Sequence, residues 1–191
     1  MRKSGVTKGV LLAWVFGFSV FVRASGGAQE GADYAALRQD ILKFEAIVNQ
    51  TINSAFSASP FAVVQKAKGA YLQGYGISLT FLINIHRAVV HTPFGDARTG
   101  IDMTPELKKQ RIEELKERLI QMLLDNGDNF RSLRKEDYVT IVAFIEDRNF
   151  PDEPSGNKTI VLSALKKDLD ELGRRNERLK EFKQRMKIVE Y

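Results

Sequence analysis

No cysteine occurs anywhere in the chain, so disulfides, thiolate nucleophiles, zinc–cysteine sites and haem attachment through Cys-x-x-Cys-His are excluded. The fold has to rest on its core, and 191 residues are enough to bury one without covalent staples. Histidine is scarce as well: His86 and His91 are the only two. The His-Glu-x-x-His, Gly-x-Ser-x-Gly, Gly-x-Gly-x-x-Gly and EF-hand patterns do not occur. Gly156-Asn157-Lys158-Thr159 imitates the end of a phosphate loop, but the first glycine is missing and a strand rather than a helix is expected to follow. These absences predict no cofactor and no metal.

Long hydrophobic runs are limited to one. Gly9–Val22 is apolar over fourteen residues, short of the roughly 20 a membrane span needs. Arg2, Lys3 and Lys8 precede it and small residues follow, the arrangement of a secretory signal over residues 1–28. Gly26 and Ala28 suit cleavage before Gln29, and Val22 and Ala24 suit cleavage before Ser25. An uncleaved anchor is the alternative, while a lipoprotein would need a cysteine. The expected protein is therefore exported, periplasmic or extracellular, as residues 29–191 with no stable membrane insertion once the signal is removed.

The signal also changes the meaning of the charge. The formal net charge is +5, which by itself suggests nucleic acid. Residues 1–28 hold Arg2, Lys3, Lys8 and Arg23 and no acid, so removing these four from 29 basic residues leaves 25 against 24 acidic ones. A nearly neutral mature chain favours neither nucleic acid nor an anionic surface.

What is present is periodicity. Leu37, Ile41, Phe44, Ile47, Val48, Ile52 and Phe56 form a helical stripe after the capping residue Asp33, and Pro60 ends it. Pro60–Leu72 reads as a weak strand. Ile77, Leu79, Phe81, Ile83 and Ile85 alternate with polar positions as a half-buried strand, and Gly74 and Gly76 suit the hairpin turn between the two. His91–Met103 reads as a loop. Thr104-Pro105-Glu106 then opens a helix that stops at Asn126-Gly127. Asp137–Ile145 is apolar on both faces, a central strand. Residues 146–158 read as a loop, Thr159–Ala164 as a strand, and residues 165–187 as one basic C-terminal helix. The order α-β-β-α-β-β-α predicts an α+β domain: a four-stranded antiparallel or mixed sheet of two strand pairs, with three helices covering one face.

Lys68-Gly69-Ala70-Tyr71-Leu72-Gln73-Gly74-Tyr75-Gly76-Ile77-Ser78-Leu79-Thr80-Phe81 resembles a hairpin of uncharacterised exported bacterial proteins. The resemblance covers these residues alone. It implies export and a hairpin, and no activity.

Two functional readings follow. The first is a non-enzymatic exported module that binds a protein partner or itself through the C-terminal helix, where Leu165, Leu169, Leu172, Asn176 and Leu179 form a heptad-like seam. Leu179, Phe182, Met186, Arg175 and Arg178 would carry that interaction. An amphipathic helix docked on the sheet explains the same pattern. The second is a hydrolase-like enzyme of undescribed type that uses His86 with Glu146 and Asp147. Against it, two surface histidines and a solvated acidic loop are the plainer reading.

Overall fold

The computed structural model describes residues 33–54, 62–100, 104–146, 158–172 and 178–191. The expected signal, Asp147, Arg175 and Asn176 lie outside the described residues. Ala32–Tyr191 form one compact unit.

Helix α1 runs from Tyr34 to Ser54. Asp33 caps it, its Oδ1 accepting the amides of Ala35 and Ala36 at 3.0 Å each. Leu37, Ile41, Phe44, Val48 and Ile52 recur at helical spacing and are all buried, as an amphipathic stripe requires. Strands β1 (Ala62–Leu72) and β2 (Gly76–Asn84) form the expected hairpin. Helix α2 (Pro105–Asn126) begins at Thr104, whose hydroxyl accepts the Leu107 amide at 3.2 Å. Proline at the first helical position costs nothing there, because that amide has no intrahelical partner. Strands β5 (Tyr138–Glu146) and β6 (Lys158–Leu165) form a second hairpin.

The fold is α+β, but among the described residues the main sheet has five strands and the α-helices number four, not the four strands and three helices expected. The C-terminal segment accounts for this difference, and the residues after Ile85 add a second departure. Where one basic C-terminal helix is expected, the described residues form α3 (Lys166–Leu172) and α4 (Leu179–Arg185), followed by strand β7 (Lys187–Glu190). Ile188 and Val189 are β-branched and suit a strand, but their alternation spans too few residues to interrupt the helical pattern before it. The predicted loop after His91 belongs to a separate two-stranded hairpin, β3 (Arg87–Thr92) and β4 (Gly95–Gly100), turned by Pro93-Phe94. β4 reads as loop because Gly95-Asp96-Ala97-Arg98-Thr99-Gly100 shows no apolar alternation.

The sheet order is β1-β2-β5-β6-β7. Only β2 and β5 are parallel, because α2 crosses over between them. All other neighbours are antiparallel. Central β5 carries Val139, Ile141, Ala143 and Ile145 toward the helices, every one fully buried. Ile77, Leu79, Phe81 and Ile83 of β2 and Ile160, Leu162 and Ala164 of β6 complete that face. Phe182 of α4 and Leu169 of α3 close the core from the helical side, with no exposure at all. Among the described residues, no helix is long and apolar enough to cross a membrane.

Candidate functional site

His86 lies at the end of β2, where Ile85 and His86 turn the chain into β3. It is 3% exposed, not a surface residue. Its backbone N–H donates to Asn84 Oδ1 at 2.9 Å, and Asn84 Nδ2 donates to Glu146 Oε2 at 2.9 Å. The parallel pairing sets Asn84 beside Glu146, so the structure does bring two of the sequence candidates to one end of the sheet. The carboxylate, however, holds the Asn84 amide, and that amide holds the turn. Acid–base chemistry needs a carboxyl or imidazole within reach of a substrate proton. Two grooves of about 370 Å³ flank α1, one shared with β1 and the other with Asn129 and Phe130. Neither groove is lined by His86 or Glu146. Among the described residues, no cluster of three or more His, Asp or Glu side chains could hold a metal.

Of the interaction residues read from the C-terminal helix, Leu179, Phe182 and Met186 fall elsewhere than on an exposed seam, while Arg175 lies outside the described residues. Phe182 is fully buried and Met186 is 8% exposed, both within the core cluster. Leu179 is half-buried and packs against that cluster. The guanidinium of Arg178 donates to the Glu171 carbonyl at 3.0 Å. Arg185 is engaged too: it holds Asp168, Glu171 and Glu181, and these carboxylates raise its pKa.

The face of the sheet turned away from the helices has a different character. Strand register places Ser78, Thr80 and Leu82 of β2, Tyr138, Thr140, Val142 and Phe144 of β5, Val161 and Ser163 of β6, and Val189 of β7 on it together. At one end the Tyr75 ring stacks on Tyr138, centroids 5.4 Å apart and planes 19° from parallel. The Tyr75 hydroxyl meets Thr140 Oγ1 at 2.7 Å, and Thr140 Oγ1 donates to Ser163 Oγ at 2.9 Å. Lys187 Nζ lies 4.8 Å from the Tyr138 ring centroid and donates to its hydroxyl at 3.2 Å, a cation–π contact closed by a hydrogen bond. These hydroxyls satisfy one another, and among the described residues none hydrogen-bonds to a carboxylate or imidazole that would activate it as a nucleophile. Toward the other end the face is apolar. Leu82, Phe144, Val142, Val161 and Val189 form a diagonal strip across four strands, with Phe144 42% and Val189 48% exposed. A stiff surface with uncovered aromatic and aliphatic groups is suited to contact with another polypeptide.

None of these open-face residues was a candidate from the sequence. The available signal was the double-sided hydrophobicity of Asp137–Ile145, which reads as two buried faces and conceals that one is only partly covered. Comparison with protein-family models, with curated proteins and with solved structures finds no match to this chain.

Proposed function

We propose that this chain is exported and acts as a non-catalytic module that binds a protein partner through the sheet face its helices leave bare. The observation that carries the reading is the strip from Leu82 to Val189, where Phe144 stands 42% exposed on the central strand. A large apolar side chain on the most rigid strand of a domain is costly to leave in water, and contiguous apolar patches of this kind mark interaction sites. Phe94, fully exposed at the tip of the β3–β4 hairpin, offers a second aromatic contact. Export is supported by the signal-like segment and by the resemblance of the Lys68–Phe81 hairpin. The engagement of Glu146 by Asn84 supports binding over a hydrolase.

The test is recovery of a complex from the producing cell with wild-type protein and with Phe144→Glu. The variant is expected to keep its stability within about 0.5 kcal/mol, as exposed positions usually do, and to lose the complex. Undiminished recovery with both Phe144→Glu and Val142→Glu would overturn the reading.

A further inference from the structure

The two edges of the sheet are finished differently. Along β1, α1 supplies side chains to the outward-pointing amides: Asn49 Oδ1 accepts the Ala67 N–H and Glu45 Oε1 accepts the Gly69 N–H, both at 2.8 Å. Glu45 also pairs with Lys68 at 3.2 Å. That edge is closed to a further strand.

At the opposite edge, among the described residues, the backbone of β7 bonds only to β6. Thr159 and Tyr191 exchange both backbone hydrogen bonds, at 2.7 and 3.1 Å. By antiparallel alternation Val189 and Lys187 also turn their amides inward, which leaves the N–H and C=O of Ile188 and Glu190 pointing away from the sheet. No described residue pairs with them. The strand is nonetheless held firmly, through Glu190 to Lys116 at 2.7 Å and Lys158 at 3.2 Å, and through Lys187 to Tyr138. Its Ile188 and Val189 side chains are 38% and 48% exposed.

We infer that β7 pairs antiparallel with β7 of a second copy, about a two-fold axis perpendicular to the sheet and centred on Val189. This register sets Ile188 of each copy opposite Glu190 of the other, so every outward backbone group of these residues gains a partner. On the open face Val189 meets Val189 and Lys187 meets Tyr191 of the second copy. Ile188 meets Glu190, whose charge Lys116 and Lys158 already balance. No like charges are opposed. A head-to-tail chain of copies would need the β1 edge, which Asn49 and Glu45 occupy, so the assembly closes as a dimer. The inference does not depend on the open face binding a partner.

A single engineered cysteine tests it, because the chain has none of its own. Val189→Cys would sit at a non-hydrogen-bonded pair about 4.5 Å apart between α-carbons, within disulfide reach. Under mild oxidation the purified exported chain should form a disulfide dimer, whereas Leu72→Cys, equally exposed at 47% on the capped edge, should stay monomeric. Adding Ile188→Pro removes an outward N–H, leaves the bonds to β6 intact, and should lower the dimer yield about tenfold. Sedimentation provides a second measurement: wild type is expected to dimerise with rising concentration and Val189→Lys to remain a monomer. Oxidation of Val189→Cys no faster than Leu72→Cys, or a wild-type monomer at every concentration, would overturn the inference. A strand of another protein occupying this edge would also show as a wild-type monomer. Phe144→Glu should leave the dimer intact, which separates this pairing from the open-face reading.

Discussion

Gly76 presses against the backbone of Tyr138: a Cβ built on Gly76 would lie 2.1 Å from the Tyr138 carbonyl oxygen and 2.6 Å from its nitrogen. The contact lies where the β1–β2 turn meets the parallel partner strand, and the Tyr138 amide donates to the Tyr75 carbonyl at 2.7 Å. Gly76 also has φ +129°, a region closed to side-chain-bearing residues. Gly74 shares a positive φ, +78°, but nothing lies within 4 Å of where its Cβ would be.

The two glycines should therefore respond unequally. Gly74→Ala is expected to cost about 1 kcal/mol, the strain of a left-handed alanine. Gly76→Ala must also push two strands apart and should cost more than about 3 kcal/mol or prevent folding. Denaturant midpoints of the two variants check this. Equal midpoints would show that the backbone contact is not restrictive.

The turn was legible in the sequence because glycine, alternation and hairpin are local signals. So were α1 and α2, whose caps at Asp33 and Thr104 sit where the pattern put them. The failures share a physical cause: they depend on what the chain meets, not on its own period. Phe182 and Met186 fit a helical seam as well as a core, and only packing decides between them. Residues 187–190 become a strand because the edge of β6 is free to receive them. Gly127 reads as a helix stop, yet its φ of −67° is ordinary right-handed helix. Glycine is needed there because a Cβ would meet Leu169 at 2.6 Å. Among the site candidates, the sequence named His86 and Glu146 and the structure sets them near one another, but joined by Asn84, whose part no spacing could reveal.

The inward-facing residues of α3 and α4 should behave as core. Phe182→Ala is expected to cost about 3–5 kcal/mol and Leu169→Ala about 2–5 kcal/mol, from lost burial plus the cavity left behind. Leu179→Ala, at a half-buried position, should cost less than either. Thermal melts of the three variants provide the comparison, and a Phe182→Ala protein as stable as wild type would contradict the packing described.

Capping of the β1 edge has its own signature. Glu45→Ala strips the Gly69 amide of its acceptor and Lys68 of its ion partner. The cost should be about 1–3 kcal/mol. Because an uncapped edge strand templates further pairing, light scattering should also show faster aggregation than for Leu179→Ala. A destabilised variant with no rise in aggregation would mean that Glu45 stabilises the fold without guarding the edge.

Glu190 ties β7 to the domain in a pH-dependent way. The hydrogen bond from Lys116 lowers its pKa, against an opposing effect of burial, and Lys158 adds to the lowering. A carboxyl whose folded pKa is depressed contributes stability above its unfolded pKa of about 4.3 and loses it as pH falls through the folded value. Wild type should therefore exceed Glu190→Gln in denaturant midpoint at neutral pH, and the gap should close on acidification. A gap that persists at low pH would assign the effect to packing.

The proposal that the protein works through its uncovered sheet face is tested most directly inside the producing cell. A photo-crosslinking amino acid is placed at Phe144 on the open face or at Arg118, a 46%-exposed side chain on α2. Illumination should join the Phe144-substituted protein to another polypeptide and leave the Arg118-substituted protein largely free. Adducts from Arg118 alone, or from neither position, would contradict the account.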